Sequence, residues 1–465
     1  MKNTGKQRRS DAVLFGLTAV LFAVLAFLTV ALIMLYNSNT SQEDIPFDLD
    51  RLTSDDSMAN KAEIADALLP EFIGITVGGN RYGISASSAV MTDLYGEVSG
   101  LISETLVYSN AERSGEAYWL SCADADESMY IRYHSQLPDV VIGMFADASS
   151  DRTSIRDYAL AYVYEMFIIP SRDGTKTGEA VVRSIGGDVF VYRVENASMG
   201  IMAEDLTKYI RSYTSSMKEF IFSDGEYVTD SPTEPVFIET VTTRNILTTD
   251  GTAFLIKNSQ SSIYQLMRVF GLNPNKLLSS HEEPSGKLSY TDRSGILYLE
   301  KSAFEYRAAD DGGVAVTDII GYTDGIGLSE YIAAVYGLMN KIAAIESHCA
   351  GGSADLYLVD ISSDGREVSM TFEFFYDNIL VIGTEPALTV TFRDGKLTYA
   401  RLFTVTVKSV STRSESFGEW WFFDRLAKDG TVVQNVGLVY RSDYISDSVR
   451  AEWRAVTKAS ATRNR

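Results

Sequence analysis

Cysteine is almost missing from this chain: Cys122 and Cys349 are the two residues of that type in 465. That excludes a disulfide scaffold and a cysteine-rich zinc module. The two could pair only by bridging distant stretches, so both are read as free thiols. Histidine is nearly as scarce. His134, His281 and His348 lie too far apart for a His-x-x-x-His zinc geometry. His348 and Cys349 are adjacent, but neighbours on a helix point about 100° apart. They read as a helix-end cation near the dipole and a buried thiol. Positive charge is short as well, with 41 Lys+Arg against 62 Asp+Glu and a net charge of −21. A nucleic-acid binder needs clustered positive charge, so that class is excluded. A phosphate-binding P-loop and a Gly-x-Ser-x-Gly nucleophile elbow are both absent.

What is present is an ordinary folding composition, 45% apolar and 22% charged, which excludes a disordered or collagen-like chain. At roughly 100–200 residues per domain the length allows two to four domains. The charge is unevenly placed. Lys2, Lys6, Arg8 and Arg9 face only Asp11 in the first eleven residues, so the remainder is more acidic than the whole.

From Ala12 to Tyr36 no residue is charged. A helix needs about 20 apolar residues to cross a bilayer core, and 25 would reach roughly 37 Å. The basic tip before the run places residues 1–11 in the cytoplasm and the bulk of the chain outside. The run is longer than the apolar stretch of a cleaved signal peptide and ends without a small-x-small site. It is therefore expected to be an uncleaved signal anchor, making a single-pass cell-membrane protein with one helix in the membrane. Within it Gly16, Ala19, Ala23 and Ala26 recur at three- and four-residue steps. Such a small-residue stripe either packs against partner helices or faces lipid.

Residues 37–69 form an acidic linker. A first α+β domain is expected over 70–230, a central α+β domain over 236–348, and an antiparallel-sheet domain over 349–465. Thr229-Asp-Ser-Pro-Thr-Glu-Pro235 marks the first boundary. Strands are expected at 72–77, 117–121, 129–134, 180–185 and 189–194, and helices at 88–101, 155–168 and 202–221. Further on, 263–270 and 327–348 carry helical spacing, and 303–307 with 314–317 reads as a strand pair. Ser363-Asp-Gly365 and Arg393-Asp-Gly395 are hairpin turns. The closing 452–457 reads as an edge strand. The fold class is α+β, with antiparallel sheets and helices packed on one face of each.

No catalytic, cofactor-binding or metal-binding set emerges. Ser215-Ser-Met-Lys218 and Lys176-Thr-Gly178 fit fragments of penicillin-binding enzymes, but in reversed order and without the Ser-x-Asn between them. Asp124, Asp126 and Glu127 lack calcium-loop spacing and read as a solvated turn. Trp420, Trp421, Phe422 and Phe423 are four consecutive aromatics, which cannot all face inward. They are a candidate partner surface.

Several segments resemble one known family, the YycH/YycI-type regulators of Gram-positive bacteria. Ile256–Phe270 with Leu272-Asn-Pro274 is similar to the helix entering that family's central domain. Tyr290-Thr-Asp292 through Leu297-Tyr-Leu299 and Phe304-Glu-Tyr306 resembles its strand pair. Phe372-Glu-Phe-Phe-Tyr376 resembles its aromatic hairpin, and Val436–Tyr440 with Glu452-Trp453 its terminal strands. The resemblance covers roughly 256–457. It implies regulation without catalysis: association with a membrane sensor histidine kinase of cell-wall homeostasis, and with a sister regulatory protein, partly through transmembrane helices. The rival classes are a cell-wall hydrolase or acyltransferase, and a tethered ligand-binding or adhesion module.

Overall fold

The structure, a computed structural model, describes residues 68–85, 90–108, 111–146, 161–170, 179–193, 203–222, 235–237, 241–251, 259–300, 302–310, 312–321, 326–345, 351–352, 355–363, 366–376, 379–417, 422, 425–426, 433–442 and 446–457. The apolar run 12–36 and the acidic linker lie outside them. Among the described residues no helix is long and apolar enough to cross a membrane. The described part is a mixed α+β structure dominated by antiparallel sheets.

The first sheet is built from β1 (Phe72–Val77), β2 (Asn80–Ser85), α1 (Met91–Tyr108), β3 (Ala111–Ser114), α2 (Glu116–Ala123), β4 (Glu127–Pro138), α3 (Asp139–Ala146), β5 (Tyr162–Ile169), β6 (Glu179–Arg183), β7 (Val189–Arg193), α4 (Ala203–Tyr213), β8 (Lys218–Phe222) and β9 (Pro235–Phe237). Its nine strands run β3-β7-β6-β5-β4-β1-β2-β8-β9, all antiparallel. Strand residues alternate between faces. One face carries Ile73, Ile75, Met129, Ile131 and Met166, packed in one core with residues of α1, α3 and α4. The other carries Phe72, Tyr130, Phe167 and Phe220 under Trp119 of α2.

Helices thus cover both faces of this sheet, not one. Residues 117–121 are helical, burying Trp119, Cys122 and Ala123 at three- and four-residue steps. The helix expected over 155–168 is corrected too: 162–169 is the interior strand β5, apolar but for Glu165, with both faces buried from Val163 to Ile168. The helix expected over 202–221 ends at Tyr213, and β8 takes the rest. On the aromatic face Gly74 makes room for rings. A Cβ there would stand 2.7 Å from the Phe220 ring and 2.8 Å from that of Phe72.

The chain continues through β10 (Val241–Gly251), α5 (Gln260–Val269), β11 (Ser279–Glu282), β12 (Leu288–Thr291), β13 (Gly295–Leu299), β14 (Ala303–Ala308), β15 (Val314–Ala315), α6 (Val316–Ile320) and α7 (Leu328–Ile345). Then come β16 (Gly351–Gly352), β17 (Asp355–Ser363), β18 (Glu367–Tyr376), β19 (Ile379–Ile382), β20 (Leu388–Arg393), β21 (Lys396–Phe403), β22 (Val405–Phe417), β23 (Val433–Arg441), β24 (Ser446–Val449) and β25 (Ala451–Thr457).

A twelve-stranded sheet runs β11-β12-β13-β14-β21-β20-β18-β19-β23-β25, with β15 on β21 and β17 on β18. It takes strands from both sides of residue 348. β15 pairs with β21 rather than with β14, and 316–320 is helical, so the 314–317 strand expectation is corrected. The helix side is an aromatic core, with Phe270 on Tyr306, Tyr331 on Phe392 and Tyr336 on Phe372. The hairpin at Asp394-Gly395 has both residues at positive φ, 49° and 77°, as a two-residue turn of this twist requires. β25 ends the sheet. A four-stranded sheet, β16-β22-β10-β24, completes the unit.

Candidate functional site

Three charged residues sit where the pattern of β4, β5 and β6 calls for apolar ones. Arg132, Glu165 and Arg183 are cross-strand neighbours in one row, and Phe72 of β1 pairs with Arg132. All three are buried, between 2% and 7% exposed. Arg183 Nη2 donates to Glu165 Oε2 at 2.8 Å, and Arg132 Nε donates to Glu71 Oε2 at 3.1 Å. The guanidiniums also lie over rings: Arg183 is 4.7 Å from the Trp119 ring centroid and Arg132 is 5.8 Å from that of Phe72. Burial pushes the Glu71 carboxyl above its ordinary value, although Arg132 beside it acts the other way. Tyr130 Oη and Ser128 Oγ are buried on the same face with no hydrogen-bond partner among the described residues.

Next to this row the first sheet meets the twelve-stranded one. The His134 ring stands edge-to-face against Phe375 at 4.5 Å and Tyr357 at 5.1 Å. Ser135 Oγ donates to the Leu358 carbonyl at 3.4 Å. Gly437 of β23 also comes close, since a Cβ there would stand 3.3 Å from Glu71 Oε1. Burial, helped by Arg132, pushes the imidazole down to about 3, so His134 is neutral at ordinary pH. On the opposite face of β4, the Tyr95 and Tyr133 hydroxyls lie 3.3 Å apart, and burial pushes Tyr95 up to about 12.

These groups bond to one another across strands and across the two sheets, which suits them to hold an orientation. The sequence signal for them was a lone charge inside an apolar strand, as in Met129-Tyr-Ile-Arg132 and Tyr164-Glu165-Met-Phe167. The first stretch falls in an expected strand and the second in an expected helix, so sequence pattern alone does not bring the two charges together.

The residues singled out from sequence fall elsewhere. Gly16, Ala19, Ala23 and Ala26 lie outside the described residues, as do Trp420, Trp421 and Phe423. Phe422 is half-buried and stacks on Trp453 of β25, with centroids 6.0 Å apart. Ser215 and Lys218 are both exposed, and Lys176–Gly178 lies outside the described residues. Asp124 and Asp126 are exposed in the turn between α2 and β4. Cys122 is a buried free thiol, its pKa raised to about 12 by burial. His281 is exposed on β11, while His348 and Cys349 lie outside the described residues. No family model matches the chain, and no curated protein matches it.

Proposed function

We propose that the protein is a membrane-tethered extracellular regulator of the YycH/YycI type. It modulates a sensor histidine kinase of a two-component system of cell-wall homeostasis, alongside a sister regulatory protein. The observation that carries this reading is the order of segments: a basic tip, a 25-residue uncharged run and an acidic linker ahead of the α+β unit. The run supplies the single helix in the membrane, with Gly16, Ala19, Ala23 and Ala26 as its close-packing face. Trp420, Trp421, Phe422 and Phe423 supply a second contact outside. The paired buried charges around Arg132 and Arg183 support a rigid body that transmits contact, without catalysis.

Co-expression of the full-length chain with the candidate kinase in membranes tests the reading. The two should co-purify, and kinase autophosphorylation should change by several-fold when the chain is present. Gly16→Leu with Ala23→Leu should weaken both effects. An unchanged kinase, together with release of soluble fragments from peptidoglycan by the purified protein, would replace this reading with an enzymatic one.

A further inference from the structure

The contact between the two large sheets is made where β4 leaves its ladders. Its pairing with β1 stops at Arg132–Phe72. Its pairing with β5 jumps from Arg132–Glu165 to Leu137–Val163, so residues 133–136 face a single residue, Tyr164. His134 and Ser135 sit in this irregular stretch and reach across to β17 and β18. Movement here need not break either ladder.

We propose that His134 is an acid-sensitive latch: protonating its imidazole loosens β4 from β17 and β18 while both sheets stay folded.

The groups described around the ring are aromatic, of like charge or already engaged. Phe375 of β18 is apolar, and the Tyr357 phenol of β17 is held neutral by burial. Arg132, two residues back on β4, is a like charge. Glu71, just before β1, is a nearby carboxylate, but it already pairs with Arg132. Burial pushes its carboxyl up, so it loses its charge early as pH falls. Glu373, the cross-strand neighbour of Tyr357, accepts from the Ala387 N–H at 3.2 Å. The folded imidazole therefore binds a proton only near pH 3, against 6.5 when released. A histidine depressed in this way stabilises the closed contact above its released value. That contribution drains away as pH falls from about 6.5 toward 3.

The test is amide exchange on the full chain in detergent micelles at pH 7.5 and 4.5, corrected for the chemical exchange rate. Protection in 133–136 and 355–361 should drop by up to about 100-fold at pH 4.5, the ratio implied by 6.5 against about 3. The β5–β6 ladder should be unchanged. His134→Gln, neutral at every pH, should abolish the difference. The same loss in His134→Gln, no loss in the wild type, or equal loss in β5 and β6 would overturn the latch. Should His134→Gln fail to fold, proton resonance of the wild-type ring decides. A ring still neutral at pH 5 supports the latch, and one half-protonated near 6.5 with the contact intact overturns it.

Discussion

Asp292 shows how much one carboxylate can hold. It accepts from Asn273 N at 2.7 Å, Ser294 N at 2.7 Å, Ser294 Oγ at 2.6 Å and Gly295 N at 3.2 Å. It thereby ties the loop after α5 to the β12–β13 turn. Burial pushes its carboxyl up, but the bonds from Ser294, Asn273 and Gly295 outweigh that and hold it below the ordinary value. Asp292→Ala should cost about 1–3 kcal/mol in urea unfolding. Since the folded value is depressed, the wild type carries this stability above pH ~4 and loses it as pH falls through the folded value. An Asp292→Ala curve as steep below pH 4 as the wild type would contradict this. The Arg183–Glu165 pair gives a second prediction. Arg183→Met or Glu165→Leu alone strands a buried charge and should cost about 3–5 kcal/mol, whereas the double change should cost less than either. A double variant less stable than both would refute the pairing argument.

At the scale of elements, caps and turns follow sequence closely. Ser259 precedes α5, and its Oγ accepts from Ser262 N at 3.2 Å. Ser259→Ala should lower the unfolding free energy by about 1 kcal/mol, and an unchanged thermal midpoint would deny the cap its role. The helices at 260–269 and 328–345 and the hairpin at Arg393-Asp-Gly395 were legible because their signals are local. What failed has a physical cause. Ala117-Tyr-Trp-Leu-Ser121 has strand-forming residues, yet packing of Trp119 on Phe167 makes it helical. Val163–Ile168 is buried on both faces and so shows no alternation, which leaves helix and strand indistinguishable by period. The candidate site was less legible still. Arg132, Glu165 and Arg183 meet through strand register, and His134 meets Phe375 some 240 positions on, a pairing that local pattern does not encode.

For the whole molecule, the ends of the large sheets set its behaviour toward other copies. The first sheet ends at β3, with Glu112 and Arg113 exposed, and at β9, which opens on Pro235. The twelve-stranded sheet ends at β11, where Ser279, Ser280, His281 and Glu282 are all exposed. Charge, proline and short polar strands are how sheets avoid growing edge to edge. Glu112→Val with Arg113→Val should raise the oligomer fraction in light scattering while the thermal midpoint stays near that of the wild type. A variant that remains monodisperse would show that β3 is guarded by something else. On the proposed reading, a tether would confine molecules to a thin layer, where neighbours meet far more often than in free solution. Blunted ends such as β3, β9 and β11 would make such crowding tolerable and would leave recognition to the faces and the helices.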